Sequence, residues 1–132
     1  MKPLAPILAL LGLAVPAGAE TPLDGPAFEA RVTGRTLAYA QDGMAYGAEQ
    51  YLPGRRVVWA FAGQPCQYGR WYEAAPARIC FVYDTDPTPQ CWQFFDRPGG
   101  LTAVFEGGGT QPLTEVGDID GPLACPGPQV GV

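Results

Sequence analysis

The chain contains no histidine, no serine and no asparagine, and its single lysine is Lys2. Without histidine there is no Ser-His-Asp triad, no Cys-His nucleophile pair and no zinc site that depends on imidazole. Without asparagine there is no N-glycosylation sequon. No C-x-x-C is present, since ten residues separate even the closest cysteines, Cys80 and Cys91, and this excludes the usual redox-active dithiol. Carboxylates, tyrosines, threonines and arginines are left to carry any chemistry.

The first residues, MKPLAPILALLGLAVPAGAE, place one cation before an apolar stretch from Leu4 to Val15 and end in the small residues Ala17, Gly18 and Ala19. This pattern predicts a secretory signal peptide over residues 1–19, too short and wrongly flanked for a membrane span. Cleavage near Ala19/Glu20 exposes no cysteine for lipid attachment, so the expected product is a soluble periplasmic or secreted protein covering residues 20–132. The leader removes the lysine and leaves seven arginines against thirteen carboxylates. That balance disfavours nucleic acid, and no basic run is available to grip an anionic membrane.

The remaining length suits one domain, of a size that gains from covalent help. Cys66, Cys80, Cys91 and Cys125 form an even set in an exported chain, which reads as two disulfides with three possible connectivities.

In TPLDGPAFEARVTG, Asp24 is a candidate N-cap, Pro26 suits a first turn and Gly34 a stop, predicting a short helix over about 26–32. Thereafter the period changes to two. RTLAYA, MAYGAEQYL, RVVWAF, QYGRWYEA, RICFVYD, CWQFFD and LTAVFE are rich in aromatic and β-branched residues, and QDG, PG, AGQP, AP, DTDPTP and RPGG between them are turn chemistry. A further short strand is expected at Pro112 to Val116. Closely spaced strands with no helix among them predict an all-β antiparallel meander, and closure into a small barrel removes its edges. The Gly/Pro-rich tail from about 107 would fray unless Cys125 pins it.

Within the meander, Cys80 facing Cys91 would pair Phe81 with Gln90, Val82 with Pro89 and Tyr83 with Thr88, around a loop from Asp84 to Pro87. Such a bridge contributes on the order of 3 kcal/mol in the chain-entropy account. Cys66 would then take Cys125. Pro89, which cannot donate to a ladder, needs an outward position in this register.

GRTLAY, DGMAYGAEQYLP, VVWAF, CQYGRWY, ICFVYD, QCWQFF and the ending CPGPQVGV resemble a family of small exported alphaproteobacterial proteins of unknown function. The likeness spans nearly the whole mature chain. It implies a periplasmic address, disulfides and an all-β fold, and it brings no catalytic residues, because its motifs consist of glycines, aromatics and cysteines.

Both faces of VVWAF and ICFVY are apolar, so one fills an interior and the other is either covered by helix and tail or left as a binding surface. Trp71, Tyr72, Trp92, Phe94 and Arg70 are the candidate ligand-binding residues of such a surface. The acid pairs Asp84/Asp86 and Asp118/Asp120 lack the remaining ligands of a calcium loop, and position 129 is Gln where a bidentate Glu is needed; they read as turn residues, and neither a metal nor another cofactor is expected. Glu73 with Asp96 or Glu106 could in principle serve a hydrolase. Arg55 and Arg56 flank a hairpin. The sequence thus favours a monomeric, non-catalytic binding or envelope-associated module whose partner is an unknown ligand or envelope protein. Two alternatives stand behind it: a barrel inhibitor of a secreted protease using residues 20–26 as an extended arm, and a carboxylate-dependent hydrolase.

Overall fold

In a computed structural model, Met1, Gly12 and residues 20–125 are described; the expected leader, those two residues aside, and the closing residues 126–132 lie outside this range. Helix α1, Gly25–Val32, precedes eight strands: β1 Thr36–Gln41, β2 Met44–Leu52, β3 Arg56–Phe61, β4 Gln67–Ala75, β5 Arg78–Tyr83, β6 Asp86–Arg97, β7 Gly100–Phe105 and β8 Leu113–Ile119. Each strand pairs antiparallel with the next, and β1 closes the barrel on β8 from Thr36↔Ile119 to Gln41↔Leu113. The expected meander is therefore a complete barrel of eight strands.

Turn residues account for the tight connections. Asp42 and Gly43 both take positive φ between the partners Gln41 and Met44, the conformation of a two-residue type I′ hairpin that Asp-Gly favours. Pro98-Gly99 similarly joins Arg97 to its ladder partner Gly100. The helix begins where Asp24 accepts the amide of Ala27 at 2.9 Å, has proline in its first turn, and ends as Thr33 N donates to Glu29 O.

One hairpin departs from expectation. Cys80 does face Cys91 and Phe81 faces Gln90, but Tyr83 pairs with Asp86, so only Asp84 and Thr85 form the loop. β6 consequently begins at Asp86, five residues before the expected start. Pro87 to Pro89 are absorbed opposite Val82 where the register shifts. A bulge frees both prolines from a donor role they cannot fill, which the regular register would have imposed on Pro89.

Both disulfides form, Cys80–Cys91 and Cys66–Cys125. The tail runs from the end of β8 across the outside of the barrel: Thr36 Oγ1 donates to Gly121 O, Leu123 N donates to the Gln50 side chain, and Cys125 is bonded to Cys66. Val58, the ladder partner of Gln50, is buried beneath this path, as are Ala48 and Ala60. The second apolar face of VVWAF is thereby covered over β2 and β3.

Helix α1 seals one end of the barrel rather than lying on its wall. Phe28 and Val32 are fully buried, and Phe28 meets Tyr51, Trp71, Phe81 and Phe94, all inward-pointing rings, at centroid distances of 4.3–6.4 Å. Arg55 ties the seal down, lying 4.4 Å over Trp71 while bonding Glu29 at 3.0 Å. Glu73 at the end of β4 accepts the amides of Gly25 and Ala77. Beneath the helix, Glu115 receives Arg31 at 2.8 Å and the amide of Leu101.

Candidate functional site

The end opposite the helix is open. There the inward faces of all eight strands surround a cavity of about 60 Å³, several times the minimum of about 10–15 Å³ needed for one water. Its walls are aromatic. Tyr46, Trp59 and Phe61 are in mutual contact at centroid distances of 5.3–5.9 Å and steep interplanar angles. Phe61 stands at the rim, 39% exposed, and Trp92 of β6 is half-buried on the facing side, packed on Phe105.

Two in-strand glycines make these walls possible. A Cβ on Gly47 would lie 2.5 Å from the Trp59 indole, and one on Gly69 would lie 2.2 Å from Val82 O and 2.9 Å from the Tyr83 ring. Gly47 thus makes room for the Trp59 indole, and Gly69 for the backbone of the neighbouring strand and the Tyr83 ring. The second of these placements carries the Tyr83 hydroxyl into the interior.

That hydroxyl lies against Glu49. The carboxyl of Glu49 is on β2, 2% exposed, and receives Tyr83 OH at 3.0 and 3.2 Å from its two oxygens. Nearby, the hydroxyls of Tyr39 and Tyr51 share a buried hydrogen bond of 2.9 Å. Glu49 is the only carboxylate among the residues lining the cavity, and no arginine lines it. Burial pushes its proton affinity well above the ordinary glutamate range, the tyrosine hydrogen bond offsetting only part of this. Burial likewise raises Tyr39, Tyr51 and Tyr83, so these phenols stay neutral.

The sign of the Glu49 effect yields a test. A carboxyl that holds its proton more tightly when folded leaves the native state binding more protons than the unfolded chain between the two pKa values, so stability falls as pH rises through that window. It is greatest near the unfolded value of about 4.3 and levels off above the raised folded value. Glu49→Gln should therefore melt with the wild type near pH 4 and above it at pH 8, by a margin on the order of several degrees. Asp118, held low by its hydrogen bond with Arg35, and the other surface acids act equally in both proteins and cancel. Parallel Tm-versus-pH curves would show that Glu49 ionises freely.

The sequence-derived candidates separate. Trp92 and Phe94 line the cavity. Trp71, 2% exposed, belongs to the sealed end, 5.0 Å from Phe28. Tyr72 and Arg70 lie on the outer wall, with the guanidinium 5.6 Å over the Tyr72 ring; Arg70 borders a broad depression over β3 and β4. The five residues do not form one surface because strand alternation sends Tyr72 and Arg70 outward. Glu73 is committed to two backbone amides, Asp96 to Arg31 and Glu106 to Arg78, and none of the three lines the cavity. Asp86 accepts the Thr88 amide, the turn role expected of it. Among the described residues, no three metal-ligating side chains converge.

Glu49, Trp59, Tyr46 and Tyr83 were not among the expected site residues. One signal was available: with the three residues Pro53, Gly54 and Arg55 as the loop between MAYGAEQYL and RVVWAF, the hairpin register pairs Glu49 with Trp59. A charged residue opposite a core tryptophan is out of place on a strand face. The chain matches no protein-family model, no curated protein and no solved structure, so the reading of this site rests on its own geometry.

Proposed function

We propose that the protein is an exported, non-catalytic binding module that receives a small ligand in the open end of its barrel. The observation that carries this reading is the aromatic cavity with one buried carboxyl at its wall, open at the end away from the helix. Barrels of eight strands have an interior just wide enough to be filled by side chains or to hold one small ligand. Here the sealed half is filled and the other half is not. A mostly apolar hollow with a few convergent polar groups is the usual form of a small-molecule site. A second acid that glycoside hydrolysis would require is missing from the lining.

Export is supported by two disulfides, which persist in oxidising compartments, together with the leader pattern. No helix among the described residues is long and apolar enough to cross a membrane. The protease-inhibitor reading needs a free arm, but residues 20–24 are held: Leu23 N donates to Phe94 O at 2.8 Å, and Glu20 chelates Arg97.

Single-tryptophan variants test the proposal. Trp71 should be shielded from iodide and unresponsive to ligands, whereas Trp92 should be partly quenched and its emission should shift when a panel of small apolar and amphipathic compounds is added. Trp92→Ala should weaken such binding about tenfold or more, in line with loss of a buried aromatic contact. Tyr72→Ala and Arg70→Ala should leave it unchanged. A response that follows the outer-wall variants instead would move the site to the outside of the barrel.

A further inference from the structure

All seven arginines of the chain fall among the described residues, and none serves Glu49. Arg31, Arg35, Arg55, Arg78 and Arg97 are paired with other acids. Arg56 and Arg70 are exposed on the outside, Arg56 reaching Pro53 O and Arg70 lying over Tyr72. Carboxylates are almost never fully buried without a cationic partner or a metal. Glu49 is buried with one phenol as its hydrogen-bond donor, which satisfies a fraction of what an ionised carboxylate accepts. The lining supplies no positive charge.

The lining does supply ring faces. Tyr46, Trp59 and Phe61 form one corner and Trp92 the facing side. The quadrupole of such rings attracts a cation, most strongly for tryptophan. An aromatic corner next to an uncompensated buried acid is complementary to one class of group: a cation that carries an apolar skin. A methylated ammonium meets this description: its charge is met by the carboxyl and the ring faces, while the hydroxyls of the four tyrosines and the amides of Gln67 and Gln90 that also line the cavity need no hydrogen bond from it. A metal ion would require several converging ligands, and Glu49 is the lone carboxylate of the lining; an anion would find no positive charge there.

Resting on the cavity-binding proposal above, we infer that the open end takes the head group of a small organic ammonium ion, with Glu49 as its counter-charge and Tyr46, Trp59, Phe61 and Trp92 as its aromatic wall. The cavity is small, so the head group enters and the rest of the ligand projects through the mouth. Binding then ionises Glu49 and releases one proton. The groups facing it are the phenols of Tyr39 from β1, Tyr51 from β2 and Tyr83 from β5, all kept neutral by burial; Arg31 and Glu115 lie at the sealed end.

Calorimetry on the oxidised protein with tetramethylammonium, choline and benzyltrimethylammonium tests this, each against its uncharged isostere with a quaternary carbon in place of nitrogen. At least one ammonium should bind ten or more times tighter than its isostere. Its affinity should rise about tenfold per pH unit until Glu49 ionises in the free protein, as loss of one proton requires. Glu49→Gln should abolish the preference and the pH slope while keeping isostere affinity. Isosteres that bind as well as the ammonium ions, or an unchanged preference in Glu49→Gln, would overturn the ammonium inference and leave the cavity as a site for neutral ligands. No heat and no Trp92 response from either class would overturn both proposals.

Discussion

Phe28→Ala is expected to cost about 3–5 kcal/mol, the range for deleting a fully buried aromatic side chain. Domains of this size have total stabilities of about 5–15 kcal/mol, so the variant should retain only a fraction of the native margin. The reason is the position of the ring. Phe28 is the side chain by which an eight-residue helix enters the barrel, and it is packed by Tyr51, Trp71, Phe81 and Phe94. Helices of that length have little stability of their own. Removing the ring therefore leaves a void and also loosens the element that seals this end. Thermal unfolding should drop by on the order of 20 °C, and Trp71 emission should move to the red before global unfolding, because Arg55 and Phe28 are its cover. A loss below about 1 kcal/mol would mean that the helix is held mainly by its polar ties, Glu73 to Gly25 and Arg55 to Glu29, and that the seal is not packing-driven.

The second large effect concerns the tail. Cys66 and Cys125 are 59 residues apart and Cys80 and Cys91 are 11 apart, so the chain-entropy account assigns about 4 kcal/mol to the first bridge and about 3 kcal/mol to the second. The Cys66→Ala/Cys125→Ala variant should be the less stable of the two double variants in urea unfolding. It should also differ in kind. Without the bridge, residues 120–125 are held by the Thr36 and Gln50 contacts alone, and the buried outer residues Val58 and Ala60 lose their cover. Faster hydrogen exchange in β2 and β3, with β5 and β6 unchanged, is the expected signature. Loss of the hairpin bridge should instead loosen β5 and β6, where Ile79 and Phe81 remain packed. Equal exchange patterns in the two variants would show that the tail does not protect the wall it crosses.

Much of the architecture was legible because it is written in local chemistry. Asp24, Pro26 and Gly34 delimit the helix, and Asp42-Gly43 and Pro98-Gly99 set their hairpins whatever the rest of the chain does. β2 and β3 fall where their aromatic alternation predicts, Met44–Leu52 and Arg56–Phe61. The misread hairpin is instructive: regular pairing from Cys80 and Cys91 was extrapolated through Pro87 and Pro89, whereas a bulge is the conformation that prolines in a ladder demand. Sequence periodicity reports alternation, but it has no term for an inserted residue.

The candidate site was far less legible. VVWAF and ICFVY are apolar on both faces, so nothing local says which face is inside, and the aromatic candidates Trp71, Tyr72, Trp92 and Phe94 are near one another in sequence although the barrel separates them. Glu49 does not stand out in the sequence because an acid in a strand is ordinarily on the wet side. By itself the sequence determined the class of fold, the turns, the cysteine content suited to two bridges and the absence of histidine- and serine-based mechanisms, since each of these depends on residue type and spacing along the chain. Which face of each strand points inward, which end the helix seals, and that one glutamate stands against a phenol in an aromatic hollow were decided by closure of β1 on β8, because inside and outside exist only once the sheet has no edges.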